Sequence, residues 1–395
     1  MTHVKPRIVL FIACATFLAF GMFNAAIGPV LNELAARTGS TLAMVGSVLT
    51  FLFLGSLVIQ FAAGPLTDRF GQRLLFLVSL AMLAVGLAAF TNARSLPLML
   101  ALVFLTGMGQ GGVDLGANLV VSSAYPKNNT SVLNLLHFFF GLGAFFGPAL
   151  VGIAIAATGA GLFIHWIAAG VFLVLAVIVF SLPGDKPEEI QPVTDSAPES
   201  RKGARVYLSP ILWLICFLIL VYVGIEYGLG SWTSTYMQAS AGLSLQNGAL
   251  VTSAYWGALT LGRLASAAAS RRLNRVQLLG IALTGSLVGT LGLLFSGGAL
   301  TATILFIILT GFSFGTIYPT TVAVTVAAFP RDQGKAVGLL AAMGSIGGLI
   351  FPWGAGILLE QVSPLAYTLF LSVSALILLL IFAAFFRSTK KVPTT

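Results

Sequence analysis

Charged side chains are scarce in this chain. Of its 395 residues, 8% are Asp, Glu, Lys or Arg and 58% are hydrophobic, whereas soluble domains carry about 25% charged residues. The mean hydropathy is +1.01. The composition therefore excludes an ordinary water-soluble domain and predicts a protein whose main solvent is lipid.

Cysteine and histidine are also scarce, with two and three copies. Cys14 and Cys216 lie in apolar segments without the spacing of a metal site or a disulfide framework, so we interpret both as packed thiols. The sequence contains no nucleophile, metal or nucleotide motif that supports an enzyme. We expect no catalytic residues, no metal site and no cofactor.

Twelve apolar stretches make up most of the chain. A membrane-spanning helix needs about 20 mostly apolar residues. Such stretches lie near residues 8–30, 42–63, 74–92, 97–122, 131–156, 161–182, 208–237, 248–269, 276–297, 300–327, 336–359 and 363–386. We therefore predict an all-α polytopic membrane protein with twelve transmembrane helices. No small-residue cleavage site follows the first stretch, which is predicted to be a retained helix rather than a signal peptide.

Lysine and arginine are distributed unevenly over the connections between these stretches. Seventeen of the twenty fall on one side of the predicted topology, Arg37 and Arg94 fall on the other, and Arg263 lies inside a span. The positive-inside rule then places both termini in the cytoplasm. The residues behind the net charge of +9 thus set the orientation of the helices in the membrane. We therefore do not expect nucleic acid as a partner.

One long polar segment divides the chain into two similar parts. Residues 183–206 are rich in Pro, Ser and charge and hold five of the eleven acidic residues, which predicts a cytoplasmic linker between six-helix bundles at 1–182 and 207–395. The two bundles share residues at an offset of 203 to 204 positions, including Leu-Thr-Gly from Leu105 and Leu309, Gly143/Gly347, Pro148/Pro352 and Gly21/Gly224. Two repeated bundles around a midplane site are typical of secondary transporters.

Two acidic residues, Asp114 and Glu226, lie deep within predicted spans. A charged group inside a bilayer is costly, so we interpret each as functional. Each either binds a cation or exchanges a proton, because desolvation disfavours the charged form of a carboxyl group. The alternative for each is a structural acid satisfied by the backbone or by an arginine. Arg263 is one such arginine, although we expect its side chain to extend toward the cytoplasm.

Amide and aromatic side chains accompany these acids in the spans. Gln110, Asp114 and Asn118 share one helix face through their i, i+4, i+8 spacing, and Asn134 and His137 share a face in the next span. Deep aromatic residues favour a cavity in which rings stack on a substrate and hydroxyl groups bind it, with ordinary core packing as the alternative. The predicted substrate-binding residues are Asn24, Gln110, Asn118, Asn134, His137, Tyr227, Trp232, Tyr255, Trp256 and Tyr318. We expect His165, beside Trp166, at the membrane interface.

The connection between the second and third spans contains a gating motif. The run Gly64-Pro-Leu-Thr-Asp68-Arg69-Phe-Gly71-Gln-Arg73 resembles the cytoplasmic signature of the major facilitator superfamily. A glycine turn there holds an acid and bases at a helix end, where they can pair with a neighbouring helix as a breakable gate. The alternative is a basic loop that only sets topology. The corresponding segment of the second bundle keeps the bases and lacks the acid.

Three further stretches resemble the fucose-permease and sodium-glucose-transporter-like branch of that superfamily. They are Asp114 with Asn118, the run Leu133-Asn134-Leu-Leu-His137, and the pattern Tyr222-Val-Gly-x-Glu226-x-Gly-x-Gly-x-Trp232. The resemblance implies the superfamily fold and cation-coupled uptake of a hexose-like sugar, with Asp114 and Glu226 as the coupling carboxylates. Two positions depart from fucose permeases. Gly28 stands where they place an acid, and Phe140 stands where an asparagine contacts sugar.

The sequence therefore predicts a secondary active transporter that works by alternating access, most specifically a proton- or sodium-coupled sugar symporter. One alternative is a proton-driven exporter of amphipathic compounds, which the 30 phenylalanines and few acids would suit. Another is a membrane sensor or scaffold that does not transport. We expect a monomer in the cell inner membrane, with the lipid bilayer and a small molecule, a sugar, as its partners.

Overall fold

The computed structural model describes residues 4–125, 129–183, 203–330 and 332–390, with side chains described except at 63–65, 68, 129–131, 203–205 and 388–390. This part of the chain is almost entirely helical and contains twelve α-helices. They are α1 (Pro6–Thr38), α2 (Leu42–Phe70), α3 (Gln72–Phe90), α4 (Leu96–Ala124), α5 (Asn129–Thr158), α6 (Phe163–Ser181), α7 (Pro210–Ala241), α8 (Leu245–Ala269), α9 (Arg275–Phe295), α10 (Leu300–Ala328), α11 (Gln333–Ile357) and α12 (Pro364–Lys390). A 3₁₀ helix (Gly203–Leu208) precedes α7, and a π-helical segment (Leu358–Val362) joins α11 to α12.

Each predicted span coincides with one helix, so the prediction of an all-α polytopic membrane protein is confirmed. Eleven helices of the described ranges are long and apolar enough to cross a membrane. The exception is α8, whose 25 residues span about 37 Å, more than the roughly 30 Å of a bilayer core. It is less apolar because it contains Ser, Thr and Gly residues as well as Arg263.

Successive helices alternate in direction, so their connections lie at two opposite ends of the bundle. We call the end with the α2–α3 and α8–α9 connections, which include Arg73 and Arg275, the basic end. The end with Glu33 and Glu360 is the far end. At the far end, α1 and α7 both stop at a glycine in the left-handed backbone region, Gly39 (φ 61°) and Gly242 (φ 66°). Most other residue types avoid this conformation.

Helices α1–α6 form the first half of the bundle and helices α7–α12 the second, and both repeat the same close contacts. A Cβ atom at Gly143 in α5 would overlap a carbonyl oxygen of α1, and one at Gly347 in α11 would overlap a carbonyl oxygen of α7. Small residues of this kind let helix backbones approach closely inside a membrane. Gly143 and Gly347 therefore occupy equivalent packing positions, whereas Gly21 packs on the Phe140 backbone and Gly224 on the Phe351 side chain. The bundle boundaries at 183–206 remain a prediction, because most of that segment lies outside the described residues.

The two halves meet mainly where α5 packs on α8, α2 on α11 and α1 on α7, and α1 also contacts α8. Cys14 and Cys216 are both buried and unbonded, which confirms their interpretation as packed thiols. The cavity described next lies between the two halves.

Candidate functional site

A cavity of about 2040 Å³ lies between the halves and reaches the basic end of the bundle. Its mouth includes Ser270, Asn274 and Arg275 from the α8–α9 connection, and its deep part includes Phe20 and Phe53 from the middle of α1 and α2. Small-molecule sites commonly measure about 300–1,000 Å³. The cavity is therefore large enough to hold a small substrate together with water.

Contacts between the halves close the interface toward the far end. Gly28 of α1 packs directly on the backbone of Ser231 in α7, where a larger side chain would not fit. The Thr50 hydroxyl of α2 donates a hydrogen bond to the carbonyl oxygen of Leu349 in α11 at 2.8 Å. A site that is open at one end and closed at the other is the arrangement on which alternating access depends.

Asp114 lines the cavity from α4 and is half-buried. One turn further on, Asn118 donates from Nδ2 to the Asp114 backbone carbonyl at 2.7 Å and to its carboxyl Oδ1 at 3.3 Å. Within the described residues Asp114 takes part in no ion pair. A carboxylate offers about four lone-pair sites, so most of the acceptor capacity of Asp114 is available to a cation, a proton or a substrate.

Glu226 of α7 lines the same cavity and is paired with Arg263 of α8. Its Oε1 lies 3.8 Å from Nη2 of Arg263, and both side chains contribute to the cavity wall. The prediction that Arg263 extends toward the cytoplasm is wrong. Its side chain turns to Glu226 because ionisable groups inside a membrane protein gain most by pairing with each other.

Six of the predicted substrate-binding residues reach the cavity surface, namely Gln110, Asn134, His137, Tyr227, Trp256 and Tyr318. Asn134 and His137 share one exposed face of α5, as their spacing predicts. The indole Nε1 of Trp256 is buried and has no hydrogen-bond partner in the described structure. An unsatisfied buried donor costs about 1–3 kcal/mol. A ligand acceptor at this wall would remove that cost.

Asn24 and Asn118 lie behind the cavity wall and are not among the residues that line it in this structure, so direct substrate binding by either one stays a prediction. Asn24 of α1 is buried and donates from Nδ2 to Oε1 of Gln110 at 2.8 Å. Asn118 donates to Asp114 as described above. Each amide satisfies a polar group that itself faces the cavity, because buried polar atoms require partners. Both residues are therefore suited to orient Gln110 and Asp114.

Trp232 and Tyr255 also lie behind the wall, and substrate contact by either one stays a prediction. The Trp232 indole donates to the carbonyl oxygen of Pro352 at 2.7 Å, and the Tyr255 hydroxyl donates to the backbone carbonyl of Glu226 at 2.8 Å. Both side chains are fully buried. They join α7 to α11 and α7 to α8, and Tyr255 supports the backbone that carries Glu226.

The predicted gating motif lies at the basic end. Arg73 donates from Nη2 to three backbone carbonyls at the end of α6, those of Val179 at 2.9 Å, Phe180 at 3.1 Å and Leu182, where a positive charge complements the helix dipole. The Arg69 guanidinium lies 5.1 Å from the ring centroid of its neighbour Phe70. Gly71 adopts φ 82° and separates α2 from α3. Gly64 and Asp68 are among the residues whose side chains lie outside the described set, so the gate stays a prediction.

Sequence reasoning named Arg263 as a possible partner of a buried acid but favoured another position for its side chain, and it misplaced one histidine. Arg263 follows Trp256 by seven residues, two turns of helix, so the face shared by the two residues was a signal for its place in the cavity. His165 is fully buried, with its ring 5.6 Å from that of Phe90. The expectation of an interfacial side chain was wrong because the start of α6 turns this face toward α3 and not toward lipid.

Comparisons with known proteins agree with this architecture. A family model described as Major Facilitator Superfamily matches residues 9–307 and 248–395. The human sodium-dependent glucose transporter 1 is 24% identical over 394 residues, which cover 92% of this chain and 76% of that protein. A nitrite extrusion protein of Bacillus subtilis (strain 168) is 23% identical over 365 residues, covering 89% of this chain and 86% of that protein. A crystal structure of the nucleoside transporter NupG has a TM-score of 0.78 at 11% identity and covers 97% of this chain and 99% of that one.

Proposed function

Because the chain belongs to the major facilitator superfamily, and so is a multi-pass membrane transporter for a small molecule, we propose that it takes up a hexose-like sugar together with a cation by alternating access. The observation that carries this proposal is the placement of Asp114. Its carboxyl group faces a cavity between two repeated halves and takes part in no ion pair within the described residues.

Asp114 makes sugar transport depend on a cation. A lone carboxylate is costly in the low-dielectric interior of a membrane protein. Binding a proton or Na⁺ neutralises it and lowers the barrier to the rocking of one half over the other. Na⁺ and the proton both bind oxygen, and Gln110, one helical turn before Asp114, lines the same cavity wall with an amide oxygen that also accepts from Asn24.

The remaining wall suits a polyhydroxylated ring. Asn134 and His137 of α5 offer hydrogen-bonding groups, Tyr227 and Tyr318 combine a hydroxyl group with an apolar ring face, and Trp256 brings its unpartnered indole N–H. Aromatic faces pack on the apolar side of a ring while hydroxyl and amide groups bind its polar edge. The name of the human relative, a sodium-dependent glucose transporter, supports the same substrate class.

The basic end faces the cytoplasm in this proposal, because positively charged connections are retained there. Both termini then lie in the cytoplasm of a cell whose inner membrane holds the protein. The described structure, with its cavity at the basic end and its far end closed, corresponds to a state open to the cytoplasm. Sugar release to the cell interior would occur from this state.

Export of amphipathic compounds is the second candidate, and the apolar part of the cavity favours it. Seven phenylalanines line the cavity, namely Phe17, Phe20, Phe53, Phe138, Phe140, Phe382 and Phe386. An apolar wall of this size can hold a hydrophobic ring system as well as a sugar. One relative is named for extrusion. The two candidates differ in the direction of gradient-driven movement and in the polarity of the cargo.

Uptake of a panel of labelled sugars into proteoliposomes, under an imposed proton or Na⁺ gradient, tests the proposal. We expect at least one neutral hexose to accumulate above its external concentration, and the accumulation to collapse when an ionophore dissipates the gradient. Failure of every sugar to enter under either gradient, together with gradient-driven efflux of an amphipathic dye, would refute sugar uptake and support the exporter.

A further inference from the structure

Glu226 and Arg263 place two opposite charges on one wall of the cavity. The pair joins α7 to α8, and the Glu226 Oε1 atom lies 3.8 Å from Nη2 of Arg263. The Glu226 side chain is 6% exposed and that of Arg263 is 25% exposed. The two charges therefore cancel locally, and the guanidinium is the more accessible of the two.

Neither partner is saturated by the other. A direct hydrogen bond between nitrogen and oxygen measures about 2.7–3.2 Å, so at 3.8 Å the two groups form an ion pair without a direct hydrogen bond. A guanidinium carries five N–H donors, and a carboxylate has about four acceptor sites. The Tyr255 hydroxyl binds the backbone carbonyl of Glu226 at 2.8 Å. That hydroxyl positions the backbone, while the Tyr222 hydroxyl is a hydrogen-bond partner of the Glu226 carboxyl group, which still has acceptor sites for a ligand.

The pair differs from Asp114 in its need for an external cation. Arg263 already compensates the charge of Glu226 in this structure, so that carboxylate does not need an added cation. Asp114 projects from α4 in the first half and forms no ion pair in the described ranges. Only Asp114 therefore gains a counter-charge when a cation enters the cavity.

We propose that Glu226 and Arg263 form a charge-neutral recognition pair that binds adjacent hydroxyl groups of an uncharged polyol, and that Asp114 alone couples transport to the cation. This inference rests on the proposed sugar uptake and assigns different roles to the two acids that the sequence treats alike. One hydroxyl donates to the Glu226 carboxylate while its neighbour accepts from the Arg263 guanidinium. A sugar acid or an amino sugar meets one attractive and one repulsive charge, so the pair selects against both.

Charge selectivity tests the recognition role. In the wild-type protein, a neutral hexose should compete with labelled hexose far better than the matching uronate or amino sugar. Glu226→Gln removes the negative charge that repels the uronate, so inhibition by the uronate should strengthen about tenfold or more. Arg263→Gln removes the positive charge that repels the amino sugar, so inhibition by the amino sugar should strengthen by a similar factor. If neither variant changes its selectivity, the recognition role is refuted.

Coupling stoichiometry tests the second part. With the membrane potential clamped at zero, an about tenfold cation gradient supports about tenfold accumulation for one cation per sugar and about a hundredfold for two. The E226Q/R263Q double variant removes both charges. It should need more sugar for half-maximal uptake yet keep the wild-type accumulation ratio. If the double variant still exchanges labelled sugar but no longer accumulates it, Glu226 itself couples sugar transport to the cation. That result would overturn the inference.

Two further measurements keep the result interpretable. The swapped variant E226R/R263E restores a neutral pair and should restore discrimination against charged sugars, even if a single variant does not fold. Thermal shift of each purified variant with the uronate or amino sugar reports binding without transport, since a ligand that binds the folded state raises its stability. Absence of wild-type uptake of any sugar refutes the proposed function. Wild-type uptake with unchanged selectivity in the folded variants refutes only the inference.

Discussion

Replacement of Glu360 by Gln is expected to weaken the closure of the far end. Glu360 lies in the π-helical segment after α11, and its carboxyl oxygens accept hydrogen bonds from the backbone N–H of Leu42, at 2.9 Å, and of Ala43. These are the first two residues of α2. The second half thus supplies an anionic cap to a helix of the first half, and the contact exists only while the far end is closed.

The magnitude follows from the groups involved. The first N–H groups of a helix lack partners within the helix, and a capping oxygen there contributes about 1 kcal/mol. A negative charge adds about 0.3–1 kcal/mol at an exposed helix start. Gln keeps one acceptor oxygen but loses the charge and places an amide N–H against Ala43. Since Glu360 is exposed, we expect a net loss of about 1 kcal/mol, an approximately fivefold shift toward the far-open state.

Thiol accessibility measures that shift. Asn32 of α1 is half-buried and donates to the Thr235 hydroxyl of α7 at 3.4 Å across the far-end interface, so a cysteine at this position is partly shielded in the closed state. In a background in which Cys14 and Cys216 are replaced, N32C should react with a membrane-impermeant maleimide several-fold faster when E360Q is present.

Glu33 provides the matched control. Its carboxylate accepts from the backbone N–H of Gly161 at 2.7 Å and of Leu162 at 3.0 Å, which is the same chemistry confined to the first half. E33Q should leave the N32C labelling rate unchanged. Equal rates with and without E360Q, or an equal acceleration by E33Q, would refute the role of Glu360 as a latch between the halves.

Three further predictions concern stability in detergent and are each read by thermal unfolding. Trp232→Phe removes a buried hydrogen bond to a backbone carbonyl of α11 and should destabilise the protein by about 1–3 kcal/mol, while sugar-induced stabilisation persists because the indole lies behind the cavity wall. Gly347→Ala forces a Cβ atom into a carbonyl oxygen of α7 and should lower the unfolding temperature sharply, whereas Gly170→Ala, with open space around it, should not. His165→Phe removes two buried ring nitrogens without hydrogen-bond partners in the described structure and should raise the unfolding temperature, and a lowered value would contradict this interpretation.

The number and order of the helices follow from the sequence because apolar runs have few structural solutions in lipid, where every backbone group needs an internal partner. The helix ends do not follow as well. The first predicted span covers residues 8–30, whereas α1 extends from Pro6 to Thr38. Hydropathy detects only the part of a helix that contacts lipid or core. The polar last turns near Glu33 and Arg37 continue the helix beyond it.

The candidate site follows from the sequence in part. Asp114 and Glu226 stand out because a buried acid needs a reason to be buried. The sequence does not show which of two neighbours faces the cavity. In the structure Trp256 lines the cavity and Tyr255 lies behind its wall. Consecutive helical residues differ by about 100° around the axis, and in a helix packed on several sides no polar face marks the direction of the cavity. The pairing of Arg263 with Glu226 depends on the relative rotation of two helices, which local sequence does not encode.

Sugar movement by the Asp114→Asn variant in proteoliposomes tests the central claim most directly. The substitution keeps the size of the side chain and removes the charge that a cation neutralises. We predict that the variant exchanges labelled for unlabelled sugar across the membrane but no longer accumulates sugar when a cation gradient is imposed. Accumulation equal to that of the wild type in this variant would contradict the assignment of cation coupling to Asp114.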